Sequence, residues 1–135
     1  MSRRSRAREV ALQILFEDDI NPRATVADMK SFVSGRLNSP ELEEFCMSLI
    51  LGVRRNQGEL DELLAKTADN WSLSRMASTD RNVLRLGAFE ILYLDTPDRA
   101  AINEAVELAK RFGSGNSAHF VNGILDKFLH HDAGQ

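Results

Sequence analysis

Four arginines, Arg3, Arg4, Arg6 and Arg8, crowd the start of "RRSRAREVALQILFEDD", the stretch from Arg3 to Asp19. A guanidinium offers a planar fork of N–H donors, so a row of them can neutralise phosphates wherever a polyanion passes, giving affinity without sequence readout. On single-stranded RNA each such contact adds roughly −0.7 to the salt slope, about −3 for all four. The alternative is a solvated basic tail. If the four only bind, replacing them by alanine should flatten the salt dependence and leave the melting temperature nearly unchanged.

Other chemistry is poorly provided for. His119, His130 and His131 are the only histidines, and no spacing resembles a zinc site. Cys46, the single cysteine, lies among core-spaced residues in "ELEEFCMSLILGV", which points to packing and leaves no disulfide framework. Asp18-Asp19 and Glu43-Glu44 are carboxylate pairs of the kind any solvated helix face carries. "GSGNSA", from Gly113, fits Gly-x-Gly-x-x-Ala, but that dinucleotide fingerprint needs a preceding strand and a helical pattern stands there instead. No catalytic residue, metal or cofactor is expected, and the chain should not be an enzyme.

Charge is distributed unevenly. The chain of 135 residues has a net charge of −3, yet its first eight residues hold four arginines and no acid. Everything after Arg8 carries thirteen basic and twenty acidic residues. A basic end on an acidic body is the asymmetry expected of a polyanion contact. No apolar run is long enough to cross a bilayer, and Gln13 and Glu17 interrupt what would be a secretory leader. The cytoplasm is the expected compartment.

The elements that must position these residues are helical almost throughout. Ala7, Val10, Ala11, Ile14 and Leu15 share one face of a first helix that Asn21-Pro22 ends. Thr25 can cap a second, and Ser39-Pro40 reads as a cap followed by proline at the first helical position of a third. Leu42, Phe45, Cys46, Leu49, Ile50 and Val53 form its core stripe. "GELDELLAKTA" gives a fourth helix and "NWSLSRMAST" a loop or single turn. Thr79 should open a fifth helix, apolar all round and therefore central. In the sixth, Ile102, Ala105, Val106, Ala109 and Phe112 are expected inward, with Lys110 and Arg111 favouring the dipole and Gly113 as a left-handed terminator. The last spans about Ser117 to Leu129. The expected fold is all-α, a single domain over 1–135 of about seven helices, with a frayed tail at 130–135.

Within that frame, Phe16 falls well away from the first helix's core stripe, either as an aromatic face for a base or as a staple against a neighbouring helix. Phe120 stands one residue off the Val121–Ile124–Phe128 stripe with the same two readings. Arg81 and Arg85, one turn apart, repel unless an anion lies near. Asp80 or Glu90 could supply it internally, an RNA phosphate externally. "GSGNS" runs into a helix N-terminus, where amides hold a phosphate or Ser117 simply caps.

The stretch "AINEAVELAKRFGSGNSAHFVNGILDKF", Ala101 to Phe128, resembles the C-terminal signature of the NusB family of transcription antitermination factors. "RRSRAREVALQILF" resembles that family's opening helix and "DRNVLRLGAFEI" its central one. The resemblance implies a fold of two small helical bundles and binding to boxA-type RNA of rRNA leader transcripts with the ribosomal protein NusE. It further implies a complex that joins RNA polymerase and suppresses termination. By the family pattern, Arg3, Arg4, Arg6, Arg8, Arg81, Arg85, Asn116 and Phe120 are RNA-binding positions, and Phe16, Ile20 and Asp80 lie on the protein-partner face. Asn103 and Asn122 interrupt apolar stripes and are expected to be buried polar ties between helices. Self-association as a homodimer stays open. So do two other roles: a free-standing rRNA-binding module like the N-terminal domain of rRNA cytosine methyltransferases, and a helical protein-interaction module.

Overall fold

The computed structural model describes residues 3–22, 25–68 and 72–130. They form seven α-helices: α1 (Arg3–Ile20), α2 (Val26–Leu37), α3 (Pro40–Arg55), α4 (Gln57–Thr67), α5 (Ser78–Tyr93), α6 (Asp98–Phe112) and α7 (Ser117–Phe128), with one 3₁₀ turn at Leu73–Arg75. The described residues include no strand. The expected frayed tail lies outside the described residues except for His130.

Local chemistry explains the boundaries of α2 and α3. Thr25 and Asp28 form a reciprocal capping box at the start of α2, satisfying two otherwise orphaned amides. The Ser39 hydroxyl accepts from the Leu42 amide at 3.4 Å, with Pro40 behind it as the first helical residue of α3. Asn38, between these helices, takes the left-handed conformation at φ 50°. Helix α5 begins at Ser78, one residue before the expected Thr79, and without a side-chain cap. The Ser78 hydroxyl donates to Asp19 instead.

Helices α1, α2 and α3 pack together, and α4 to α7 form a second bundle. Helix α5 joins the two by packing on α1 and α3 as well as on α4, α6 and α7. Ten consecutive α5 residues, Asn82 to Ile91, are buried, as its all-round apolar pattern predicts. Close approach has a local cause at Gly87, where a Cβ would sit 2.6 Å from Leu125 Cδ1 and 3.3 Å from the Ala105 Cβ. Cys46 is fully buried and free, and its desolvation pushes the thiol pKa up to about 12, so it is packing material.

Three local expectations fail. Phe112 is 47% exposed, not inward, although Leu108 and Ala109 one turn earlier are buried, and it lines an open groove beside Leu12 and Phe16 of α1. Gly113 is extended at φ −93°, ψ −167°, so α6 ends without a left-handed residue. Asn103 and Asn122 are exposed: each follows a buried residue, Ile102 or Val121, and one position further turns it about 100° off the stripe.

Candidate nucleic-acid interface

The arginine-rich end is helical and docked on its neighbours, not a loose tail. Basic side chains at a helix N-terminus oppose the dipole, and the first turn of α1 contains no acid to offset them. Helix α3 receives two of them. Arg3 donates to the Ser39 hydroxyl at 3.3 Å, and the Arg4 guanidinium lies 4.4 Å from the centre of the Phe45 ring. Both remain exposed.

Arg6 points the other way, toward the end of α6. The buried Glu9 carboxylate accepts from Arg6 at 3.4 Å through Oε1 and from Arg111 at 2.9 Å through Oε2. Both guanidiniums are half-exposed, at 51%, whereas the Glu9 side chain is 5% exposed. The carboxylate thus acts as a keel under two outward-facing cations. Around it opens a groove of about 460 Å³ lined by Arg6, Gln13, Phe16, Thr79, Arg111 and Phe112, among others. Gly113 to Asn116 follow directly and lead into α7.

Arg8, although next in the row, is spent inside the fold. Its Nε and Nη2 donate to the two Glu90 oxygens at 2.6 and 2.8 Å, and Nη1 lies 3.3 Å from Glu104. Burial would lower its pKa, but Glu90 and Glu104 outweigh that and raise it. Thr96 donates to Glu90 and Ser5 to Glu104, completing a polar bolt between α1, α5 and α6. All three Arg8 guanidinium nitrogens thus face carboxylates of the fold, which argues against a phosphate contact here and against the expectation that all four arginines can be exchanged without loss of stability.

Arg81 and Arg85 are internal too. The anions beside them are Asp19 and Asp61, neither of the two that their own helix suggested. Arg81 donates to Asp19 through Nε and Nη2 and to the Leu73 and Met76 carbonyls through Nη1, pinning the 3₁₀ turn. Arg85 grips Asp61 with two bonds of 2.7 and 2.8 Å and donates to the Asn82 side-chain Oδ1 at 3.2 Å. At Asp19, burial pushes the pKa up, yet hydrogen bonds from Arg81 and Ser78 and the charges of Arg81 and Arg85 hold it below the ordinary value.

At the far end of the strip, Asn116 is the cap residue of α7, exposed and making no capping bond with its side chain. Ser117 is buried, and its hydroxyl accepts from the Ser114 amide at 2.9 Å, closing the loop on itself. Phe120 is half-buried against the core.

The residues expected on a partner face also separate. Phe16 is a half-buried ridge between the groove just described and a second one. That second groove, about 420 Å³ between α1 and α2, is lined by Ile14, Phe16, Ile20, Met29 and Phe32 with Glu17, Asp18 and Asp28, and by no basic residue among the described ones, although Arg54 pairs with Asp18 at 3.3 Å. Ile20 is 65% exposed there. Asp80, beside Thr79 at the start of α5, has one carboxylate oxygen buried without a hydrogen-bond partner.

Sequence reasoning missed Glu9, Arg111 and Phe112 as a unit. The available signal was "KRF" immediately ahead of the loop, which the dipole argument absorbed.

Residues 5–130 match the model of the NusB family. A transcription antitermination protein NusB from Anaeromyxobacter dehalogenans is 43% identical over 127 residues, covering 93% of this chain and 89% of that one. One from Desulfitobacterium hafniense is 45% identical over 134 residues, covering 96% and 88%. Among solved structures, NusB of T. maritima matches with a TM-score of 0.85 at 34% identity over 98% of this chain and 94% of that one. A chain from a structure of the antitermination factors NusB and NusE in complex with double-stranded RNA matches with a TM-score of 0.86 at 25% identity, covering 96% and 98%.

Proposed function

The chain belongs to the NusB family, and from that premise we propose that it is an RNA-binding transcription antitermination factor. It binds boxA-type RNA of rRNA leader transcripts together with the ribosomal protein NusE and helps RNA polymerase resist termination, in the cytoplasm and without catalysing a reaction. The observation that carries this reading is the Glu9 carboxylate shared by Arg6 and Arg111, which sets the basic end of α1 beside the end of α6 and the loop before α7. A phosphate chain then has one track: Arg3 and Arg4 on the α3 side, Arg6 and Arg111 in the middle, Asn116 and Phe120 beyond. Arg8, Arg81 and Arg85 belong to the frame under that track, since their donors are already taken.

The groove between α1 and α2 suits a different occupant. Its apolar floor, the acids Glu17 and Asp28 beside the Arg54-paired Asp18, and the exposed Ile20 match a basic protein surface with an apolar anchor, and NusE accompanies NusB in a solved relative. Phe16, on the ridge, touches both RNA and partner sides. A homodimer through α1 would cover Arg6 and give way to RNA, which light scattering with and without RNA will register.

Fluorescence titration with a boxA-like RNA at moderate salt, with and without NusE, tests the reading. Binding that NusE tightens is expected; no binding in either case overturns it.

A further inference from the structure

We propose that Phe112, Arg111 and Arg6 form a subsite for one nucleotide, its base stacked on the Phe112 ring and its phosphate held by the two guanidiniums; this rests on the RNA-binding reading and refines it. Phe112 closes α6 as one of four large apolar side chains left in solvent among the described residues, 47% exposed. It lies at the rim of the groove that Arg6 and Arg111 also line. The Arg111 guanidinium carbon is 5.6 Å from the ring centre, inside the range of a cation–π contact, so cation and aromatic face are presented together. Alternation of a ring face with guanidinium donors is the pattern by which single-stranded nucleic acid is held.

Charge selects the ligand. Arg6 and Arg111 share one buried carboxylate, so the three residues together keep one positive charge at the mouth of the groove. Glu9 faces the guanidiniums from beneath, and both cations are half-exposed above it. The groove's volume, about 460 Å³, falls within the roughly 300–1,000 Å³ of ligand pockets. Gln13 adds an exposed amide on the same wall, able both to donate to and to accept from a base edge. An acidic peptide would satisfy the arginines but would leave the ring and the amide without a role.

The test uses the full chain with a boxA-like single-stranded RNA carrying a fluorescent purine at each position in turn. On wild type, one position is expected to change its emission by stacking. Phe112→Leu should abolish that change and weaken binding roughly tenfold, the size of one lost stack. Arg111→Gln should leave the stacking signal and make the salt slope shallower by about 0.7, one phosphate contact. If wild type binds RNA but both variants bind equally tightly with the signal and slope unchanged, the subsite is wrong while the RNA-binding reading stands. If both variants bind RNA normally and lose NusE instead, the surface is a protein contact and the proposal is overturned. Failure of wild type to bind RNA at all overturns the broader reading and this one with it. Phe112→Tyr, which keeps a ring, should restore the signal that Phe112→Leu removes.

Discussion

Two clusters in this molecule each set a pair of arginines against carboxylates and invert each other's geometry. Around Asp19 and Asp61, the guanidiniums of Arg81 and Arg85 lie inside, with every side-chain nitrogen engaged by a carboxylate, a carbonyl or an amide oxygen. Around Glu9, the carboxylate lies inside and the guanidiniums of Arg6 and Arg111 lean out. Buried donors without partners are costly, so the first arrangement holds helices together and has nothing left for a ligand. The second arrangement keeps two like charges near each other at the surface, and the buried acid is what makes that tolerable. Arg8 belongs with the first group despite its place in the basic row.

The largest effect expected from this contrast falls on Arg8. Arg8→Ala strands the buried Glu90 carboxylate and should cost about 3–5 kcal/mol, measured by chemical denaturation. A loss under about 1 kcal/mol would place Arg8 with the surface arginines instead. Next comes the double variant Arg6→Gln with Arg111→Gln, which leaves Glu9 buried with no cation. It should lose about 1–3 kcal/mol, more than the two single changes together. Additive behaviour would mean that Glu9 is not their shared support.

The Asp19 cluster gives a pH signature. Its folded pKa is depressed, so its stabilisation is complete above the ordinary value of 3.8 and disappears as pH falls through 3.8 toward the lower folded value. Asp19→Asn should lower the melting temperature at neutral pH and narrow the gap to wild type on acidification. A constant gap at all pH values would remove Asp19 from the account. Smallest of all, Arg6→Gln or Arg111→Gln alone should change stability by no more than about 0.5 kcal/mol, because the other arginine still neutralises Glu9.

Much of the frame was legible because it follows from local rules. The caps at Thr25 and Ser39 act within a few residues, and the burial of α5 follows from an apolar pattern on every side. The candidate site was legible only as a region. Arg6 and Arg8 look alike in sequence, and their fates differ because α1 turns one toward Glu90 and Glu104 and the other toward Glu9, near the end of α6. Arg81 and Arg85 find acids from α1 and α4, distant in sequence, that no helical spacing reveals. Phe112 keeps the period of an inward residue yet lies at the rim of an open groove. Periodicity reports which face a residue occupies; it does not report what stands opposite.

The central claim is that exposure of the guanidinium, not its place in the basic row, decides which arginines meet RNA. The most direct test is the slope of binding affinity against salt for boxA-like RNA with wild type and Arg6→Gln. The slope should become shallower by about 0.7, one phosphate contact on a single strand. An unchanged slope with Arg6 removed would contradict the claim.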